Sequence, residues 1–419
     1  MIADGGLPRR ALVLGLARSG EAAALALARR GVRVAAADRD VRLDAGRLRA
    51  AGVEVVLGAA DPALLDRVDL LVKSPGVPTE APLVAAARAR GLPVWSEIEL
   101  GFRLLRNPIL GITGTNGKTT TAELLGAVFR AAGRPAEVAG NVGRPLTALD
   151  GVVEHGAWVV CELSSFQLED VDRFRARIGV LLNLTPDHLD RHGTFERYAA
   201  AKLRLFENQS GDDTAVVPRG FPSVPGAARR IEFSGDDALP TEPRIPGAHN
   251  RENAAAAVAA ARAARVEENA IAEALRTFAG VAHRLETVRE LGGVRFVNDS
   301  KATNPEAAER ALSAFEAPLR LILGGSLKGT SFERLAGAAR GRVASAYLVG
   351  AAAGELAAAL LRAGVPHRLS GDLETAVRQA SEDASPGEIV LLSPACASYD
   401  QYANFEERGE RFRELVEAL

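Results

Sequence analysis

"GITGTNGKTT", residues 111–120, decides how the rest of the chain is read. It follows the apolar run "NPIL" and leads into "TTTAELLGAVFRAAG", whose apolar residues recur near helical spacing. The standard phosphate-loop pattern G-x-x-x-x-G-K-[ST] would need a glycine at position 112, where this chain has Ile112, with Gly111 and Gly114 on either side. The chemistry survives the irregular spacing. A glycine-rich turn at a helix N-terminus gathers free backbone N–H groups and the positive end of the helix dipole, and so holds an anion. Lys118 can then reach terminal phosphates, and the Thr119 hydroxyl a magnesium ion. A plain turn capped by threonines would account for the glycines but not for the lysine that follows them.

Outward from this loop the chain reads as α/β. Upstream, "ALVLGLARSGEAAALALARRGVRVAAADRD" gives a strand, a glycine turn, a helix and a second strand ending at Asp38. The turn carries Gly15 and Gly20, but Ala17 stands where a dinucleotide fingerprint has its middle glycine, which argues against a nicotinamide oxidoreductase. Asp38 keeps a ribose contact open. "VDLLVKSPG" and "LPVWSE" continue this block to residue 96. A second block, 97–280, contains the continuous apolar runs "AWVVCEL" and "RIGVLLNL", typical of buried parallel strands. Its Gly- and Pro-dense stretch from "ENQSGDD" to "PGAHN" reads as loops and short strands. A third block, 281–419, repeats strand, loop and helix and closes on the amphipathic "FEERGERFRELVEAL". Such alternation predicts parallel sheets with sites at the strand C-termini.

Composition narrows the partners. Lys+Arg 51 against Asp+Glu 53 leaves a net charge of −2, so nothing draws the whole chain to nucleic acid or to an anionic membrane. Arg18 interrupts the first apolar run, and no window approaches a spanning length; a cytoplasmic protein without signal peptide or membrane helix is expected. The two cysteines, Cys161 and Cys396, lie far apart, which suits a reducing compartment. Cys396 has no histidine near it in sequence and reads as a small buried residue.

Other candidates follow strands. Glu162 ends the apolar "WVVC" and could ligate a metal; His188, flanked by Asp187 and Asp190, comes after the next apolar run. Lys202 sits among apolar residues on a helix, where its bland reading is a snorkelling surface lysine. In the third block Asp299, Lys301 and Thr303 occupy one strand-end loop, Lys328 the next, and Ser393, Ser398 and Tyr399 another.

With "ELSSFQLE", "NDSKATNP" and "LLSPACASYDQYANFEERG" added to the loop, the chain resembles the Mur ligases over all three blocks. "GTNGKTT" is shared with folylpolyglutamate synthetases, which leaves another Mur-type or folylpolyglutamate-type amide ligase as the nearest rival. The other three stretches are closer to the D-glutamate-adding member. The resemblance implies three domains: a Rossmann-like N-terminal domain for a UDP substrate, a central P-loop-type ATPase domain, and a Rossmann-like C-terminal domain for the amino acid. It implies ATP-dependent addition of D-glutamate to UDP-N-acetylmuramoyl-L-alanine through an acyl phosphate, in a monomer whose domains close over the site. ATP contacts would come from Gly114, Thr115, Asn116, Gly117, Lys118, Thr119 and Thr120, with Asn250, Asn253, Arg284 and Asp299. Two magnesium ions would engage Thr119, Glu162, His188 and Lys202, the last carbamylated by CO2. Gly15, Leu16, Arg18, Ser19, Asp38, Arg39, Ser74 and Asn141 would border the UDP substrate. Lys301, Thr303, Lys328, Ser398 and Phe405 would surround D-glutamate. Relatives commonly read G-L-G-x-S-G where this chain has Gly15-Leu16-Ala17-Arg18-Ser19-Gly20, a departure that bears on the UDP diphosphate contact.

Overall fold

A computed structural model describes residues 6–58, 61–327 and 331–419. Lys328, expected at the amino-acid pocket, lies outside the described residues. The chain divides into two compact units, Met1–Phe278 and Ala279–Leu419. The first holds two sheets and the second one.

The first sheet has five parallel strands in the spatial order Glu54–Leu57, Arg33–Asp38, Arg10–Leu14, Leu70–Lys73, Val94–Ser96. Its central strand is buried along nearly its whole length, as expected where helices cover both faces. The glycine turn after it obeys steric rules. Gly15 has φ 85°, and a Cβ on Gly20 would lie 1.7 Å from the Gly15 carbonyl oxygen, so neither tolerates a side chain. Ala17, by contrast, has φ −63° and caps the helix Arg18–Arg29 with no steric demand for glycine. The departure at position 17 therefore costs the turn nothing.

The second sheet has six parallel strands in the order Arg229–Phe233, Thr214–Pro218, Ile178–Leu181, Ile109–Thr113, Trp158–Glu162, Ala136–Gly140. Ile109–Thr113, the strand that delivers the glycine loop, is buried throughout. The helix Lys118–Ala131 packs beside the alanine-rich helix Ala248–Ala263, whose small side chains allow close approach. That second helix begins at Ala248, so Asn250 lies in its first turn and not in the loop expected to run through it.

The third sheet runs Glu286–Leu291, Val294–Asn298, Ile389–Leu392, Leu319–Gly324, Val343–Val349, His367–Gly371. All its pairings are parallel except the first, an antiparallel hairpin closed by Gly292 and Gly293. Both glycines have positive φ, 59° and 79°, the backbone a tight two-residue hairpin demands. An all-parallel reading missed this edge strand because its half-exposed residues give no continuous apolar run.

Candidate active site

The glycine loop is a preformed cradle. Gly114 has φ 152° and Gly117 φ 82°, and a Cβ on Gly117 would come within 2.1 Å of the Asn253 amide oxygen. Asn253, assigned to the adenine side from sequence, thus packs against the loop itself. Asn183 braces the other side, accepting the Asn116 N–H at 2.9 Å and donating to its carbonyl at 3.2 Å. The Thr115 hydroxyl meets the Tyr198 hydroxyl at 2.9 Å.

Two cations converge on this cradle. The Lys118 ammonium donates to the carbonyls of Gly114 at 2.9 Å and Thr115 at 2.8 Å. Lys202 donates to the same Gly114 carbonyl at 2.7 Å and lies 4.7 Å over the Tyr198 ring. Lys202 is only 2% exposed, so the snorkelling reading is overturned. The reason is its helix, Phe195–Leu203, which turns Tyr198, Ala201 and Lys202 inward on one face. Burial, and next the charge of Lys118, pull the Lys202 amine down to about 7 against the opposing pull of Asp187 and Glu162.

Glu162 ends its strand with one carboxylate oxygen accepting the Asn141 amide at 2.9 Å. Its other oxygen, Oε2, is buried and finds no hydrogen-bond partner among the described residues. Such an oxygen carries an uncompensated desolvation cost that a hard cation would remove. Thr119 is buried in the first turn of the loop's helix. His188 sits at φ 52° before the short helix Leu189–His192, its ring 4.9 Å from Phe166. No group of three or more His, Cys, Asp and Glu side chains among the described residues could hold a metal by itself. Magnesium needs no such group, since it characteristically completes its shell with water and substrate phosphates.

At the first sheet's turn the Ser74 hydroxyl donates to the Gly15 carbonyl at 2.7 Å. The Asp38 carboxylate accepts from the Leu16 N–H at 2.6 Å and the Asp40 N–H at 2.9 Å, so it shapes the turn whatever else it binds. Arg18 donates to the Gly143 carbonyl, close in sequence to Asn141, while Arg39 is exposed and Ser19 half-buried. Sequence reading passed over Lys73, fully buried 2.7 Å from Asp170 and 3.3 Å from Glu169. A lysine ending the apolar run "LLVK" was the available signal.

The C-terminal unit holds its own cluster. The Asp299 carboxylate accepts from the Ser393 hydroxyl at 2.7 Å and the Leu285 N–H at 3.2 Å. Burial pushes it up to about 7, with half-buried Arg284 among the charges that oppose the rise. Arg408, also missed, is buried on the closing helix Phe405–Glu417. It donates to the Ser300 hydroxyl at 3.0 Å, the Ser300 carbonyl at 2.9 Å and the Cys396 carbonyl at 3.1 Å. The Ser300 hydroxyl in turn donates to the Phe405 carbonyl at 2.8 Å. Arg408 therefore gathers the loops that carry Lys301, Thr303, Ser398 and Phe405. Cys396 is buried, as expected.

Three family models match the chain: "Mur ligase MurD-like, N-terminal domain" over residues 9–96, "Mur ligase middle domain" over 112–232, and "Mur ligase, glutamate ligase domain" over 283–396. A UDP-N-acetylmuramoylalanine–D-glutamate ligase from Acidobacterium capsulatum is 43% identical, covering 97% of this chain and 96% of that protein. One of the same name from Anaeromyxobacter dehalogenans is 44% identical, covering 97% of each. Among solved structures, a UDP-N-acetylmuramate-alanine ligase from Thermotoga maritima shares the fold at TM-score 0.56 and 20% identity, over 98% of this chain and all (100%) of that one. Full-length identity at this level, with all three domain models in order, places the chain in the Mur ligase family, among its UDP-N-acetylmuramoylalanine–D-glutamate ligases.

Proposed function

We propose that this chain joins D-glutamate to UDP-N-acetylmuramoyl-L-alanine at the expense of ATP, a step in peptidoglycan precursor synthesis. The observation that carries the reading is the pair of ammonium groups on the Gly114 carbonyl, inside a glycine cradle at a helix N-terminus. That concentration of positive charge calls for an anion, and a triphosphate meets it. The substrate carboxylate attacks the γ-phosphate of ATP, giving an acyl phosphate and ADP; the amine of D-glutamate then attacks the acyl carbon and expels phosphate.

In this reading residues 1–96 bind the UDP substrate, 97–280 bind ATP and 281–419 bind the amino acid. The backbone from Gly114 to Thr120 cradles phosphates, Lys118 neutralises the charge that builds as the two anions meet, and Asn250 and Asn253 face the nucleotide. Arg284 and Asp299 are assigned to ATP as well. Gly15, Leu16, Arg18, Ser19, Asp38, Arg39, Ser74 and Asn141 border the UDP substrate. Lys301, Thr303, Lys328, Ser398 and Phe405 serve the two carboxylates of D-glutamate. Thr119, Glu162 and His188 would hold magnesium, and the unpartnered oxygen of Glu162 fits that role. Magnesium, when bound, screens the phosphates and polarises the transferred phosphoryl group.

Lys202 is assigned as a carbamate. A buried amine held near 7 has a neutral fraction able to attack CO2, and the resulting anion would relieve its repulsion with Lys118. The protein works as a cytoplasmic monomer in this account. The test is ATP-dependent phosphate release with UDP-N-acetylmuramoyl-L-alanine and a panel of D- and L-amino acids. D-glutamate should be used far better than D-glutamine or L-glutamate; release indifferent to the amino acid would defeat the reading.

A further inference from the structure

A polar network that these roles leave unused joins the Ser74 turn to the short helix behind His188. At its centre is Glu169, just past the helix Ser165–Leu168. Its Oε2 accepts from the Thr79 hydroxyl at 3.1 Å and from the buried Lys73 at 3.3 Å, and lies 3.6 Å from Arg191. Its Oε1 is 3.4 Å from His192, whose other ring nitrogen meets the Ser165 hydroxyl at 2.9 Å. Arg191 then crosses to the first sheet's turn, donating to the carbonyls of Pro75 at 3.0 Å and Val77 at 2.9 Å. Its guanidinium lies 4.3 Å over the Phe166 ring, the same ring that packs 4.9 Å from His188.

His188 needs such support. Its φ of 52° is disfavoured for any residue with a Cβ, and the helix Leu189–His192 is only four residues long, too short to hold itself. Neighbours must over-determine the conformation for it to persist. Two of the helix's side chains anchor it: His192 lies 3.4 Å from Glu169, and Arg191 reaches the Ser74 turn.

We propose that Arg191, braced by Glu169, is a positioning residue that locks His188 to the Pro75–Val77 turn, so that the UDP substrate and Mg·ATP each bind better when the other is present. The inference rests on the roles given above to Ser74 and His188. The fork matters as much as the charge: a guanidinium holds two carbonyls at a fixed spacing, and an ammonium does not. An arginine that merely stabilised the fold would affect both ligands alike and leave their mutual dependence untouched.

The experiment is calorimetric binding of UDP-N-acetylmuramoyl-L-alanine to the full chain, with and without a saturating non-hydrolysable ATP analogue and magnesium. In the unaltered protein the analogue should tighten binding about fivefold or more. In Arg191→Lys and in Glu169→Gln that gain should shrink to less than about twofold, while D-glutamate KM changes little. Glu169→Gln keeps the size of the side chain, so it carries the test if Arg191→Lys folds poorly. Unaltered coupling in both variants would overturn the assignment to Arg191 while leaving the proposed activity standing. Failure of the unaltered protein to bind the UDP compound at all would overturn the activity and this inference together.

Discussion

Two strand-end regions each bury a cationic side chain: Lys202 beside the Gly114 loop, and Arg408 among the loops that follow Asn298, Gly324 and Leu392. Around Arg408 the chain meets the guanidinium with its own oxygens, from Ser300, Cys396 and Gly324. Burial lowers its affinity for the proton only to about 10, so it stays charged. Around Lys202 the balance is different: its ammonium shares the Gly114 carbonyl with Lys118, which also donates to Thr115, and Glu162 keeps a buried oxygen with no hydrogen-bond partner among the described residues. A region that satisfies its own charge is a frame. A region that crowds two ammonium groups onto one carbonyl, with a carboxylate oxygen nearby unpartnered among the described residues, is suited to something brought from outside.

The largest effect expected from this contrast is at Lys118. Lys118→Ala should lower kcat by roughly a thousandfold, the scale of losing a preorganised charge contact, with the melting temperature little changed. Near-normal turnover would reduce the loop to a turn. Arg408→Met should do the reverse, costing about 3 kcal/mol of stability in urea unfolding, because it leaves several buried carbonyls without donors. If stability held while only catalysis fell, Arg408 would belong to the ligand-seeking class and the contrast would fail.

Lys202 sharpens the comparison through pH. Below about 7 its amine holds a proton and cannot attack CO2; as pH rises through that value the neutral fraction grows, and above it levels off. Protein equilibrated with 13C-bicarbonate should therefore show a carbamate carbon resonance that strengthens between about pH 6 and pH 8, by up to roughly tenfold per unit at the acid end. Lys202→Ala should abolish the signal and lower turnover about a hundredfold. A pH-independent signal, or none, would remove the carbamate. The smallest effect is expected at Lys328: its loss to alanine should raise the KM for D-glutamate about tenfold or more, the size of one charge-assisted hydrogen bond, and leave the KM for ATP nearly unchanged. Equal changes in both would move Lys328 to the phosphates.

What was legible from sequence was what neighbours in the chain decide. The strands at Ile109–Thr113, Trp158–Glu162 and Ile389–Leu392 follow from short apolar runs, and the cradle from glycines standing directly before Lys118 and a helix. Glu162 at the end of its strand followed from the same local logic. The antiparallel hairpin at Gly292-Gly293 is also local, but its half-exposed edge strand has no continuous apolar run to mark it.

The rest depended on what the fold brings together. Nothing in "YAAAKL" says which face of the helix turns inward, because alanine flanks Lys202 in a way that suits either; only packing against the loop buries it. The glycine at 117 is required by Asn253, which comes from a helix far along the chain. Lys73, half-buried Arg191 and Arg408 carry no motif, since a cation is tolerated away from water only where distant carbonyls and carboxylates converge on it. The sequence by itself determined where the core strands lie along the chain, the glycine turn before Lys118 and the family resemblance, all written in contiguous residues; tertiary structure alone decided which charges are buried and which groups face each of them, because that balance is summed over residues that meet only when the chain is folded.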